Sequence, residues 1–351
     1  MTGLAVPQDP IPAFLLTGFL GSGKTTLLKN ILARPEWART AVIVNELGDV
    51  GLDHLLLERS DEETLLLEGG CLCCALKSDL VLTLQSLLMR GERGELPMFE
   101  RIVIETTGLA DPGALIRTFW SDPLRLSRYR FAGTVTCVDA VTGEGAMARY
   151  AEARRQIAFA DVLLVTKTDL GPSERMRAAA RAINPGVPLY AIVQGRAPAR
   201  ALRSVTAAKR SVNAKTHGDA SHASDVVTAS ATSEAILAWR ALEAGLADLT
   251  ASYGEHLLRL KGIVRAAEFD VPIRIDAVQG LFHRPLPVSQ KRHAVEGSCL
   301  VAIAQSVDQG GLQRNLISLL DRSAAKEFER GRGEAVGLDP ARSCRQMRGN
   351  Q

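Results

Sequence analysis

Gly18-Phe19-Leu20-Gly21-Ser22-Gly23-Lys24-Thr25-Thr26 is the stretch whose reading decides the fold. It fits G-x-x-x-x-G-K-[ST], the Walker A pattern of a phosphate-binding loop. Its flanks agree: the apolar run Ala13–Thr17 reads as a buried strand, and a helix is expected from Lys24 to about Ala33, stopping near Pro35. Each residue type has a reason. Glycines let backbone N–H groups turn inward around phosphate oxygens, and the helix that starts there presents its positive dipole end. Lys24 is placed as a point charge for β- and γ-phosphates, and the Thr25 hydroxyl as a ligand to Mg²⁺. Gly18, Gly21, Ser22, Gly23, Lys24, Thr25 and Thr26 are therefore the candidate phosphate-contacting residues, with Lys24 also catalytic. A glycine turn followed by a chance lysine would not bring both flanks with it.

Outward from the loop, short apolar runs alternate with helical periodicity. Strands are read at Thr40–Asn45, Thr64–Leu67, Ile102–Glu105, Gly133–Val138, Val162–Thr166 and Pro188–Val193. Helices are read at Leu76–Met89, Ala148–Ala160 and Ser173–Ile183. Continuous apolar strands separated by helices predict an α/β domain, a mostly parallel sheet with helices on both faces, over 1–195. Residues 196–232 are rich in Ala, Ser, Arg and Lys with little apolar periodicity, and read as a flexible linker carrying His217 and His222. Order resumes over 233–328 as a smaller α+β domain: a helix at Glu234–Leu249, strands at Leu257–Val264, Ile273–Gly280 and Cys299–Ser306, and a helix at Leu312–Leu320. Residues 329–351 form a polar tail.

Composition narrows the function classes. Forty-two Lys and Arg against 39 Asp and Glu give a net charge of +3, which offers no electrostatic footprint for nucleic acid. No apolar run approaches the roughly 18 residues a membrane helix needs, and Met1–Pro12 has no Lys or Arg to make a signal-peptide n-region. A cytoplasmic protein is expected, binding neither nucleic acid nor membrane. Six cysteines, unevenly placed, do not make a disulfide scaffold. In a cytosolic chain the cluster Cys71-Leu72-Cys73-Cys74 reads as metal-binding or redox chemistry instead.

Three further motifs say which phosphate-loop machine this is. Arg101-Ile102-Val103-Ile104-Glu105-Thr106-Thr107-Gly108 is an apolar strand ending in an acid, a Walker B-like position. Glu105 is placed to hold Mg²⁺ directly or through water, and the Gly108 N–H to sense a γ-phosphate. Thr166-Lys167-Thr168-Asp169 resembles the N-K-x-D signature that reads guanine, with Thr in place of Asn. Asp169 can accept from guanine N1–H and the exocyclic amine, and the Lys167 stem can lie on the purine face, which favours GTP over ATP. Asn45-Glu46-Leu47-Gly48-Asp49-Val50-Gly51 lies where a switch segment would, its carboxylates suited to a metal or a catalytic water. Thiolates as close as Cys71, Cys73 and Cys74 suit Zn²⁺, or Co²⁺ and Cu⁺. Two thiols are expected as ligands, completed by a carboxylate, a histidine or water; a buried cysteine-rich turn and a redox pair remain open.

Taken together, G-F-L-G-S-G-K-T-T, N-E-L-G-D-V-G, E-G-G-C-L-C-C, I-E-T-T-G-L-A-D-P and T-K-T-D, in this order from Gly18 to Asp169, resemble the CobW-type GTPase family, also called cobalamin-synthesis-related. The segment around Leu260-Lys261-Gly262 is similar to the start of that family's C-terminal domain. The resemblance implies a SIMIBI-class P-loop NTPase fold joined to a small α+β domain. It also implies GTP hydrolysis with Mg²⁺, and a transition metal, Zn²⁺ or Co²⁺, held at C-x-C-C and passed to a client metalloprotein or cofactor-assembly enzyme. By position Cys71, Cys73 and Cys74 take the metal role, with Glu46 an accessory ligand and catalytic candidate. A homodimer is left open. Two other readings stand beside this one: a GTP-dependent docking regulator that delivers no metal, and a small-molecule P-loop kinase, which has no use for C-x-C-C or T-K-x-D.

Overall fold

The computed structural model describes residues 10–45, 65–69, 76–122, 126–198, 201, 225–288 and 297–325. The chain divides into two compact units, the first 1–181 with 187–210, the second 182–186 with 211–351.

In the first unit β1 (Ile11–Thr17), β2 (Thr40–Asn45), β3 (Leu65–Gly69), β4 (Arg101–Glu105), β5 (Tyr129–Asp139), β6 (Val162–Thr166) and β7 (Leu189–Ala191) form one seven-stranded sheet. The order is β3-β2-β4-β1-β5-β6-β7, with every pairing parallel. Parallel strands need crossovers, and here these contain α1 (Lys24–Leu32), α2 (Leu76–Glu92), α3 (Pro112–Ser121), α4 (Gly143–Arg149), α5 (Ala151–Ala158) and α6 (Glu174–Ile183). Burial on both faces explains the unbroken apolar strands: all five residues of β6 are buried, as are Ala13 to Leu16 of β1. On one face Phe14, Leu16 and Val103 pack against Leu27, Leu28 and Ile31 of α1, which fixes the glycine loop between β1 and α1.

Two expectations change here. The single helix expected at Ala148–Ala160 is α4 and α5, broken where Tyr150 takes extended backbone (φ −118, ψ 124). The Tyr150 ring stacks on Phe19 of the glycine loop, centroids 4.7 Å apart and planes at 26°. Helix α3 was not read from the sequence, although its signal is there. Asp111 accepts from the Gly113 N–H at 2.9 Å as N-cap, and Pro112 takes the first helical position.

The second unit contains β8 (Val226–Ser233), α7 (Trp239–Tyr253), β9 (Arg259–Val264), β10 (Ile273–Val278), β11 (Leu281–Phe282), β12 (Leu286–Pro287), β13 (Ser298–Gln305) and α8 (Gln309–Ser323). Its sheet runs β11-β10-β9-β13-β8, with β12 on β10, and all pairs are antiparallel. Alternate residues such as Leu260, Ile275 and Leu300 share a core with Leu246 of α7 and Leu316 of α8. The linker expected over 196–232 is corrected by β8, which occupies its last residues and pairs along its whole length with β13. Ala and Ser carry little strand propensity. The pairing with β13 and the burial of Ala229 and Ala231 override it. Residues 202–224 of that segment, with His217 and His222, and the tail 329–351 lie outside the described residues.

Candidate functional site

The loop between β1 and α1 has the conformation its glycines permit. Gly18 (φ 145) leaves no room for a side chain: a Cβ there would run into the Cys137 carbonyl oxygen and come within 2.6 Å of Ser22 Oγ. Gly23 (φ 86) is left-handed and starts α1. Lys24 Nζ donates to the carbonyls of Gly18 (2.8 Å) and Phe19 (3.3 Å), spanning the loop. Burial lowers its pKa, opposed by the nearby Cys137 and Glu105. The Cys137 thiol, beneath the loop, is pushed up to about 12, chiefly by burial, and packs as a neutral core side chain. Ser22 is buried, and Gly21 and Thr26 are exposed.

Because β4 is the immediate neighbour of β1, its terminal acid reaches the first turn of α1. Thr25 Oγ1 donates to Glu105 Oε1 at 2.9 Å, and Glu105 is 4% exposed. A hydroxyl and a carboxylate oxygen side by side are the hard donors that Mg²⁺ takes. The following segment is held on several sides. Thr106 Oγ1 donates to Thr17 Oγ1 at 2.9 Å. A Cβ on Gly108 would sit 2.7 Å from the Leu20 amide nitrogen, so only glycine lets this segment touch the loop. From α5, Gln156 Nε2 donates to the carbonyls of Gly108 (3.0 Å) and Ala110 (3.2 Å). Arg155 pairs with Asp111 at 2.7 Å.

At the other end of the loop, Thr166 Oγ1 donates to Ser22 O (2.9 Å) and Val138 O (3.3 Å) and is buried. The hydroxyl that stands where the guanine signature has an amide thus ties the end of β6 to the glycine loop. Lys167 is left-handed (φ 56), and its Nζ donates to Gly21 O at 2.9 Å and pairs with Asp139 Oδ2 at 2.7 Å. Asp139, 5% exposed, also accepts from the N–H groups of Val141 and Thr142 at its other oxygen. Burial pushes its pKa up, but Lys167 and the two N–H groups more than offset this and hold it below the usual carboxylate value. Asp169, just beyond, is exposed.

Lys24, Thr25 and Glu105 therefore converge, and so do Thr166, Lys167 and the glycine loop. Glu46, Cys71, Cys73 and Cys74 lie outside the described residues, and among the described residues no cluster of His, Cys, Asp and Glu is grouped for a metal. The backbone of their flanking strands is described. Asn45 at the end of β2 pairs with Gly69 at the end of β3, and Val44 pairs with Glu105. Three residues that contact the candidate site carry no assignment from the sequence: Asp139, Arg155 and Gln156. For Asp139 the signal was available, a carboxylate closing a parallel strand, the rule that found Glu105. For Arg155 and Gln156, inside a helix, there was none.

A family model described as the CobW/HypB/UreG nucleotide-binding domain matches residues 12–191, and the CobW C-terminal domain model matches 226–320. Over 189 residues the chain is 40% identical to the zinc chaperone YjiA of Escherichia coli, covering 54% of this chain and 59% of that protein. It is 39% identical over 175 residues to the zinc-regulated GTPase metalloprotein activator 1 of Schizosaccharomyces pombe, covering 48% of this chain and 41% of that protein. The matches thus span about three-fifths or less of these curated relatives. Among solved structures, the Zn(II)-bound YjiA GTPase from E. coli aligns with a TM-score of 0.69 at 26% identity, over 89% of this chain and 99% of that one. A Zn(II)-bound triple mutant of YjiA, with one glutamate and two consecutive cysteines changed to alanine, aligns with a TM-score of 0.71. No helix among the described residues is long and apolar enough to cross a membrane.

Proposed function

The chain belongs to the CobW/HypB/UreG nucleotide-binding domain family, and from that premise we propose that it is a GTP-hydrolysing metallochaperone. In this reading it acts in the cytoplasm and carries Zn²⁺, or alternatively Co²⁺, to a client metalloprotein or cofactor-assembly enzyme. The observation that carries the GTPase half is the 2.9 Å contact of Thr25 Oγ1 with Glu105 Oε1. It joins the first turn after the phosphate loop to the end of the neighbouring strand, where hydrolytic machinery of this type needs its Mg²⁺. The names of the relatives, zinc chaperone and zinc-regulated GTPase metalloprotein activator, support the metal half.

The proposed division of labour is supported at the phosphate loop, Glu105 and Lys167 by the contacts described above. Backbone N–H groups of Gly21 to Thr26 cradle the phosphates, and Lys24 exchanges the loop carbonyls for β- and γ-oxygens. Mg²⁺, when bound through Thr25 and Glu105, neutralises charge that develops on the γ-phosphoryl group. The Gly108 N–H contacts the γ-oxygens. Asp169 reads guanine, and Lys167, held by Asp139, covers the base. In this reading Glu46, the next residue after β2 in the sequence, serves as the accessory metal ligand and orders water. Cys71, Cys73 and Cys74 hold the cargo ion.

Adjacency of the strand ends supports coupling between the sites. Since Asn45 pairs with Gly69, the chain leaves two neighbouring strands toward Glu46 and toward Cys71 from the same edge of the sheet. A γ-phosphate that orders 45–51 would then bring Glu46 to the thiolates, and hydrolysis would release it. Such coupling is reciprocal and typically about 1–3 kcal/mol, or roughly 5- to 150-fold in affinity.

The test is phosphate release from GTP and from ATP, followed by competitive Zn²⁺ titration with GDP and with a non-hydrolysable GTP analogue. We expect turnover with GTP alone and tighter Zn²⁺ binding with the analogue. Because the YjiA triple mutant is itself zinc-bound, the informative quantity is the affinity and number of the tightest sites. Equal affinity in the two nucleotide states removes the chaperone cycle. No turnover at all leaves a docking regulator.

A further inference from the structure

Helix α5 is short, yet three side chains at or inside it bear on the candidate site. Tyr150, at its N-cap, stacks on Phe19 in the phosphate loop. Arg155 pairs with Asp111, whose other oxygen caps α3. Gln156, 1% exposed, gives both of its amide hydrogens to the segment between Glu105 and Asp111, at Gly108 O and Ala110 O. The helix is itself anchored, since Thr136 Oγ1 of β5 donates to the Gln156 carbonyl at 3.0 Å. From the opposite side the amide of Leu20 closes on Gly108. The Gly108 peptide is thus gripped between the phosphate loop and one buried amide.

We propose that Gln156 is a positioning residue for γ-phosphate recognition, holding the Gly108–Ala110 carbonyls so that the Gly108 N–H faces the phosphate loop. The inference rests on the GTPase reading above and adds to it a residue that no phosphate motif contains. The Gly108 carbonyl lies in the peptide that follows the glycine and its N–H in the peptide before it. Holding the carbonyl while Leu20 closes on the α-carbon therefore limits the φ and ψ rotation that glycine would otherwise keep, and the preorganisation of the N–H donor is lost when that rotation is free. A buried glutamine can do this because its two N–H donors reach two carbonyls at once. Leucine, of similar size, reaches neither and leaves the buried Gly108 carbonyl and the part-buried Ala110 carbonyl without this donor.

The experiment compares wild type with Gln156→Leu in three measurements: the turnover number for GTP, the affinity for a non-hydrolysable GTP analogue, and the affinity for GDP. GDP uses the phosphate loop but has no γ-phosphate, so its binding reports the fold of the site. We expect turnover to fall about 10- to 100-fold, as sub-ångström to ångström misplacement does, with weaker analogue binding and GDP affinity within roughly twofold of wild type. Gln156→Glu is the second variant. Its carboxylate faces two carbonyls and should be as slow as Gln156→Leu at neutral pH. Protonation restores one donor, so its turnover relative to wild type should recover as pH is lowered. Equal loss of GDP and analogue binding in both variants would mean that Gln156 only holds the fold, and would overturn the proposal. Wild-type turnover in a folded Gln156→Leu protein would overturn it too. If wild type itself releases no phosphate from GTP, the GTPase reading fails, which the wild-type measurement alone reveals.

Discussion

From Gly18 to Thr26 the phosphate end of the site is shaped by backbone: Gly18 and Gly23 adopt positive φ, Gly18 admits no Cβ, and Lys24 donates to the loop's own carbonyls. From Thr166 to Asp169 the base end is built from side chains. Thr166 is tied to Ser22, Lys167 is held by Asp139 from 28 residues away, and Asp169 is exposed. The difference teaches where each kind of recognition draws its precision. Phosphate oxygens are met by a backbone conformation that a short motif encodes. In the proposed function a purine edge is met by the Asp169 carboxylate and the base face by the Lys167 stem, whose ammonium is held by the buried Asp139 from elsewhere in the chain.

The largest expected effect breaks the phosphate end. Lys24→Ala should lower GTP turnover by about 10²- to 10³-fold, the scale of losing one preorganised charge-stabilising group. Phosphate release checks it, with circular dichroism to confirm the fold, and unchanged turnover would remove the phosphate-loop assignment. Gly18→Ala comes next. It adds a methyl against the Cys137 carbonyl and should cost about 1–3 kcal/mol of stability through overpacking, read from urea midpoints, together with GTP and GDP binding. If Gly18→Ala binds both nucleotides normally, the loop is more plastic than its contacts indicate.

The base end should break more selectively. Asp169→Asn should weaken GTP binding and favour xanthosine triphosphate, whose 2-oxo group replaces the amine. A site that hydrogen-bonds a substrate group discriminates against an analogue that lacks it, and competition between the two nucleotides gives the ratio. Equal ATP and GTP affinity in wild type would contradict guanine reading altogether. Asp139→Asn should have a smaller effect, loosening Lys167 while leaving the guanine preference in place.

The same variant sharpens the comparison through pH. The carboxyl of Asp139 lies below its ordinary value of about 3.9, so the ionised form favours the folded state. Its contribution is complete above that ordinary value and is lost as pH falls through the folded one. Thermal melts from pH 6 to 3 should therefore show a shallower acid loss in Asp139→Asn than in wild type. An identical acid limb would mean that Lys167 does not stabilise that carboxylate.

How much of this was legible in the sequence varies by residue. The glycine loop, the strand ending at Glu105 and the sites of β2 and β6 could be read directly, because burial on both faces makes parallel strands continuous apolar runs. The α4–α5 break could not. The break coincides with the stacking of Tyr150 on Phe19, a contact across 131 positions that no local propensity reports. Nor could the full length of β8: Val226, Val227 and Thr228 favour a strand, but residues 229–233 continue it through pairing with β13.

By itself the sequence determined the parallel α/β unit, the phosphate loop and which strand ends carry acids, since these follow from local periodicity and from the φ angles that glycine alone adopts freely. Only the tertiary structure decided that Thr25 meets Glu105, that Asp139 aims Lys167, that Thr166 secures the loop, and that Gln156 grips the Gly108 peptide. Those contacts join residues from about 28 to 144 positions apart, and their partners are chosen by strand order in the sheet, which side-chain periodicity does not encode.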